Sequence, residues 1–187
     1  MATAPPPPGA PLDTASALPA LGPLFNFFQL AYVVRDIERG TQQLGALYGI
    51  DRFRISRDVA IQTRDGTARL HFALAFLGSL QIEVIQPAGG ADRIYRDRLP
   101  ALGAAAQLHH VGHRVKSARK WEAVLRALAA SRLAIPVNGV FTHEGRALMH
   151  YAYLDAREYL GHYLEFMYQT EAGRDLFADV PRYAASH

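Results

Sequence analysis

An α+β fold of two tandem β-α-β-β-β modules, forming a curved, cup-like mixed sheet with helices outside, is predicted by three features of this 187-residue chain. Four residues of metal-ligand type fall into two pairs of nearly equal separation: Gln29 with His110, 81 positions apart, and Glu83 with Glu165, 82 apart. The same order of strand-like and helix-like patterns occurs in both halves of the chain. Within the strands, residue alternation turns all four of those side chains toward one side.

The duplication extends around the pairs. Gln29-Leu30-Ala31-Tyr32-Val33-Val34-Arg35-Asp36 lies over His110-Val111-Gly112-His113-Arg114-Val115-Lys116-Ser117, and both strings end in a basic residue followed by a helix-capping type. Leu80-Gln81-Ile82-Glu83-Val84 lies over His162-Tyr163-Leu164-Glu165-Phe166, with glutamate at the same place between apolar neighbours.

In the first module, Phe27 to Val34 is rich in aromatic and β-branched residues, as strands are. Asp36 offers an N-cap, Ile37, Leu44, Leu47 and Tyr48 form an apolar helical stripe, and Gly49 stops it. Strands follow near Phe53 to Val59, Ala68 to Leu77 and Leu80 to Gln86, the last two joined as a hairpin by Gly78-Ser79. The second module repeats this order. Leu108 to Val115 reads as a strand, Ser117 caps a helix with Trp121, Val124, Leu125 and Leu128 on its apolar face, and strands follow near Ile135 to Phe141, Ala147 to Leu154 and His162 to Tyr168.

The resulting organisation is a Pro/Ala-rich arm over residues 1–23, read as disordered or polyproline, a first module over 24–87, a linker over 88–107, a second module over 108–170, and a tail over 171–187 expected to pack as a short helix.

Alternation assigns the faces. Leu80, Ile82 and Val84 pack on helices while Gln81, Glu83 and Ile85 face the cup. Val111 and Val115 point to the helices while His110, Gly112 and Arg114 face the cup. On the strand between, Leu70, Phe72, Leu74 and Phe76 are expected on the helix side, which turns His71, Ala73 and Ala75 inward. His109 is out of register with Gln29, so His110 is the preferred imidazole. His113 and His162 fall on the far side, and Trp121 is expected in the core.

Composition narrows the function. A net charge of +3, with arginines scattered among acids, gives no support for nucleic-acid binding. Absence of cysteine removes disulfides, thiolate metal sites and cysteine nucleophiles. No apolar run approaches the roughly 20 residues of a membrane helix, and the start lacks the basic region of a signal peptide, so no membrane partner and a cytoplasmic location are expected.

An imidazole, two carboxylates and an amide oxygen form a hard to borderline donor set, suited to one divalent ion among Zn, Ni, Co, Mn, Mg or Fe(II) without choosing between them. Two buried glutamates without a cation would be costly. Four protein donors around an octahedral ion leave two places open for substrate oxygens.

On Gln29, Leu80-Gln-Ile-Glu83, Leu108-His-His110-Val-Gly and Gly161-His-Tyr-Leu-Glu165, the chain resembles the vicinal oxygen chelate superfamily, which includes glyoxalase I, methylmalonyl-CoA epimerase and extradiol dioxygenases. The resemblance covers most of residues 25–168 and implies metal ligation by Gln29, Glu83, His110 and Glu165. Many members have histidine at the first of these places, and glyoxalase-type enzymes also use glutamine. The missing histidine and additional glutamate depart from the two-histidine, one-carboxylate iron site of the extradiol enzymes and disfavour ring cleavage.

The chemistry implied is proton transfer next to a carbonyl through a metal-stabilised enolate, as in an isomerase, epimerase or lyase of the methylmalonyl-CoA epimerase or glyoxalase I kind. Glu165 is the expected base, Glu83 its partner on the opposite face, and His71 the substitute for an additional epimerase carboxylate that has no clear counterpart. The expected substrate is a small molecule with vicinal oxygens or an acyl thioester. Phe25, Phe27, Phe28, Tyr151 and Tyr153 suggest a bulky one. A non-catalytic binding protein of the same fold is the main alternative, glutathione-dependent glyoxalase I is another, and a homodimer is compatible with either.

Overall fold

The computed structural model describes residues 25–184; the Pro/Ala-rich arm read from the sequence lies outside them. Element order is β1 (Phe25–Val33), α1 (Ile37–Tyr48), β2 (Arg54–Thr63), β3 (Gly66–Leu77), β4 (Leu80–Gly90), α2 (Arg93–Arg96), β5 (Gln107–Val115), α3 (Ala118–Ala130), β6 (Val137–His143), β7 (Arg146–Leu154), α4 (Arg157–Leu160), β8 (Tyr163–Gln169) and β9 (Arg182–Tyr183). The strands form one mixed sheet in the order β2-β3-β4-β1-β5-β8-β7-β6, with β9 added parallel to β3. This order reads the same from both ends once each half is numbered separately. β1 pairs parallel with β4, β5 pairs parallel with β8, and the halves join by antiparallel pairing of β1 with β5.

The sheet curls until its edges nearly meet. Arg64 N–H donates to the Pro136 carbonyl at 2.9 Å, and Gln62 N–H donates to the Tyr151 hydroxyl at 3.3 Å, tying β2 to the second half. The inner surface carries Ala31, Val33, Leu70, Ile85, Tyr151, Tyr153 and Tyr163. Outside, α1 covers Ala73 and Val84, while α3 buries Trp121, Val124 and Leu128 against Ala152, Leu154 and Phe166. Each such large side chain contributes about 1.5–3 kcal/mol on burial.

The helix signals act as expected. The Asp36 carboxylate accepts from Arg39 N–H at 2.8 Å, and Gly49 closes α1 at φ 69°, a left-handed conformation that glycine adopts without strain. Ser117 caps α3 in the same way. Leu47, read as part of the apolar stripe, is instead 72% exposed.

Two further expectations are corrected. On β3 the faces are reversed: Leu70 and Phe72 join the inner core, while Ala73 and Ala75 lie under α1 and its neighbours. α1 rides so close to the sheet that a Cβ at Gly40 would stand 2.6 Å from Val34 Cγ1, so the outer face takes alanines and the large residues line the cup. Over its described residues, 171–184, the tail is not a helix. After β8 it runs as successive i to i+3 turns, among them Leu176 N–H to Gly173 O and Val180 N–H to Phe177 O, and crosses to the β3 edge.

Candidate active site

Two neighbouring cross-strand rows build the cup floor. One runs Gln81, Gln29, Gly112, Glu165 across β4, β1, β5 and β8; the next runs Glu83, Ala31, His110, Tyr163. The four candidate ligands therefore sit at alternate corners, and the central places hold the small residues Ala31 and Gly112. Space at the centre is enforced: a Cβ on Gly112 would stand 2.3 Å from Gln29 Oε1. Gly112→Ala is expected to displace the Gln29 amide, with a stability loss of about 1–3 kcal/mol, checked by denaturant unfolding.

The junction of β1 and β5 contains two register shifts, one around Phe28 and one around His109. Each leaves one residue unopposed, as in a β-bulge, and each stands immediately before a candidate ligand in its half. The consequence in β5 is that consecutive residues His109 and His110 are both fully buried on the cup side. Simple alternation would have sent His109 to the helices. Phe28 is buried under the Arg114 guanidinium, 4.4 Å from its ring centroid, which occupies that arginine.

All four predicted ligands converge. His110 Nε2 lies 3.2 Å from Glu83 Oε2 and 3.2 Å from Glu165 Oε2. Gln29 Nε2 donates to Gln81 Oε1 at 2.8 Å, which leaves Gln29 Oε1 over Gly112 without a hydrogen-bond partner. His71, the third catalytic candidate, is elsewhere. It shares the outer-facing register with Gln86, and its Nδ1 accepts from Asp58 N–H at 3.1 Å. With the β3 faces reversed, it cannot reach the cup, and no catalytic part is assigned to it.

A chain of hydrogen bonds behind His110 sets its tautomer. The Ile94 carbonyl can only accept, so His109 Nε2, 3.1 Å away, carries hydrogen. Burial holds the His109 ring well below the usual histidine pKa, hence neutral, and its Nδ1 accepts from His110 Nδ1 at 2.9 Å. His110 Nε2 is then the nitrogen presented to the two glutamates. Burial opposes a charge on His110, but the carboxylates of Glu165 and Glu83 outweigh it and raise its pKa to about 9. Burial, offset in part by His110, also raises the Glu83 carboxyl.

The donor types on this floor are those that suit a divalent ion. His110 Nε2, Glu165 Oε2 and Gln29 Oε1 are all buried without an aligned hydrogen bond, although both carboxylates lie within reach of the imidazole. One ring N–H cannot point along two directions. A separation of 3.2 Å is close to the spacing of about 3 Å between adjacent donors that bonds of 2.0–2.2 Å to one ion would produce. Among the described residues no three acidic or imidazole side chains already surround a shared metal position; here the imidazole and the carboxylates rest against one another at 3.2 Å.

Above the floor opens a cavity of about 710 Å³, its mouth included, with Tyr95, Tyr151 and Tyr153 among its walls. Tyr95 comes from α2 in the linker, where nothing in the sequence pattern singled it out. It is fully buried and stacks on His109 with ring centroids 4.7 Å apart, holding the ring that orients His110. Tyr153 packs on His110 itself at 4.7 Å. Burial raises both phenols, keeping them neutral. Phe27, read as a pocket candidate, is 54% exposed and lies outside the cavity.

Residues 28–153, more than half of the chain, match the family described as the Glyoxalase/Bleomycin resistance protein/Dioxygenase superfamily. The chain belongs to that superfamily. Members commonly use a divalent metal, and the matched stretch contains Gln29, Glu83 and His110. Among solved structures, a hypothetical protein from Bacillus halodurans C-125 is similar at a TM-score of 0.50 and 16% identity, over 79% of this chain and 96% of that one. A methylmalonyl-CoA epimerase in complex with methylmalonyl-CoA and NH4+ is similar at 0.49 and 10%, over 80% and 97%. A methylmalonyl-CoA epimerase from Mycobacterium tuberculosis is similar at 0.47 and 11%, over 77% and 87%. No curated protein matches the chain in sequence. The likeness to the Bacillus protein is one of fold, and the superfamily's mixed cup is the architecture seen here. Among the described residues no helix is long and apolar enough to cross a membrane.

Proposed function

We propose that this glyoxalase-superfamily protein is a metal-dependent isomerase, epimerase or lyase that moves a proton next to a carbonyl group of a small molecule. The observation that carries this reading is the placement of His110 Nε2 between Glu83 and Glu165, with the unpartnered Gln29 Oε1 beside them, at the buried floor of an open cup.

Gln29, Glu83, His110 and Glu165 would hold one divalent ion, and the ion when bound would stabilise the negative charge of an enolate. Glu165, released from the ion, would take the proton from the carbon next to the carbonyl, and a protonated Glu83, approaching from the other half of the pseudo-twofold, would donate its own proton on the opposite face. A return from the same carboxylate gives an isomerase; a return from the other gives an epimerase. Tyr151, Tyr153 and the apolar walls exclude water from this exchange. The His109 bridge keeps His110 in the tautomer a cation requires.

The test combines metal uptake with isotope exchange. Purified protein dialysed against zinc, manganese, cobalt or nickel is expected to retain about one equivalent of ion. The loaded protein is expected to exchange solvent deuterium into an enolisable carbonyl compound that binds the cup. Retained metal with no exchange into any bound carbonyl compound supports a sequestering protein instead, and failure to retain any of the ions refutes the metal reading.

A further inference from the structure

Gln29 and Gln81 are cross-strand partners whose amides share a single hydrogen bond, Gln29 Nε2 to Gln81 Oε1 at 2.8 Å. Such a pair has one acceptor end and one donor end left over. The acceptor end is Gln29 Oε1, directed over Gly112 to the acidic floor. The donor end is Gln81 Nε2, which is buried without a partner on a side chain that lines the cavity. Turning both amides over would exchange the ends and set an N–H against the place of a cation, which repels it. Giving the Gln29 oxygen to an ion therefore commits the Gln81 amide hydrogens to the cup. An unsatisfied buried donor is costly, and an oxygen of a bound molecule would satisfy it.

The rest of the cavity is largely apolar, and its one arginine is already charge-paired. Its walls include Phe72, Leu74, Phe141, Met149, Met167 and Phe177. Among the described residues the cation lining it is Arg54, whose charge is paired with the Asp179 carboxylate and whose Nη1 donates to the Leu176 carbonyl at 2.9 Å, while its Nε is buried without a hydrogen-bond partner. The floor itself is acidic. Leu176 and Phe177 belong to the tail segment that Arg54 ties across the mouth, so the part of a ligand beyond Gln81 meets apolar surface there.

We propose that Gln81 is a substrate-binding residue and that the substrate is an uncharged, enolisable carbonyl compound with an aryl or alkyl body, one oxygen of which accepts from Gln81 Nε2. The proposal rests on the metal reading above and names its substrate class. It sets aside ligands whose recognition depends on phosphates, such as acyl-CoA thioesters.

The experiment uses the full chain loaded with zinc and benzohydroxamic acid as the probe, a molecule with two adjacent oxygens on a phenyl body, with binding followed by calorimetry. Gln81→Glu preserves the acceptor for Gln29 N–H and removes the donor. It is expected to keep zinc affinity within about threefold while weakening the probe about tenfold or more. Gln81→Asn, which keeps the amide but withdraws it, is expected to weaken the probe similarly and serves if the glutamate variant does not fold. Acetyl-CoA at millimolar concentration is expected to leave probe binding unchanged. Zinc uptake with unaltered probe affinity in both variants overturns the Gln81 assignment alone, and displacement of the probe by acetyl-CoA overturns the substrate class. No zinc uptake by the unsubstituted protein overturns the metal reading and, with it, this proposal.

Discussion

Glu165→Gln is expected to lower the rate of solvent-deuterium exchange into a bound carbonyl compound by about 100- to 10,000-fold, the usual contribution of a positioned general base. The amide is nearly isosteric and keeps an oxygen for an ion, so at saturating zinc the site still fills. Rate and occupancy then separate: occupancy is recovered by raising the metal concentration, and the rate is not. The substitution also relieves His110 of one of the two carboxylates that lie 3.2 Å from its Nε2, so retention of the fold is checked by thermal unfolding on the same sample. An exchange rate within tenfold of the unsubstituted protein at full occupancy would remove Glu165 as the base and leave Glu83.

Metal is expected to abolish the pH dependence of stability between about pH 7 and 9. In the metal-free protein the His110 pKa is raised to about 9, above the unfolded value of about 6.5. The folded state therefore holds the extra proton more tightly. The stability this supplies is fully present below about pH 6.5 and is lost as pH rises through about 9, a change of about 3 kcal/mol at most for so tightly coupled a group. The raised Glu83 carboxyl acts in the same direction, since it too favours the protonated form on folding.

A metal ion must displace the His110 proton, so zinc affinity rises about tenfold per pH unit up to about pH 9, or about 100-fold between pH 7 and 9. Unfolding temperatures recorded with chelator should fall over that interval, and the stabilisation produced by added zinc should grow. Curves that stay parallel with and without zinc would show that His110 does not exchange a proton for the ion.

Much of the architecture was legible because it is periodic or repeated. Asp36 and Ser117 announce their helices through the orphan N–H groups of a first turn, and alternation on β4 and around His110, Gly112 and Arg114 names the inward residues because a strand has only two faces. The gathering of Gln29, Glu83, His110 and Glu165 followed from duplicate spacing, since two copies of one unit related by a twofold bring equivalent places together.

The failures have a common origin. β3 carries apolar residues on both faces, and which face takes the larger ones depends on how close α1 approaches, a distance seen only in three dimensions at Gly40 and Val34. His71 was placed in the cup by that error. His109 escaped alternation through a bulge, Tyr95 entered the site from a linker without periodicity, and the tail found its partners on β3 and Arg54.

By itself, then, the sequence determined the duplicated modules, the caps and the donor types available to a cation, because these depend on local periodicity and on spacing along the chain. Only the tertiary structure decided that His109 joins His110 on the cup side, which ring orients it, and that Gln81 is left with an unsatisfied donor in the cup. Those outcomes turn on a register shift and on hydrogen bonds between residues as many as 52 positions apart, and neither has a local signature in the chain.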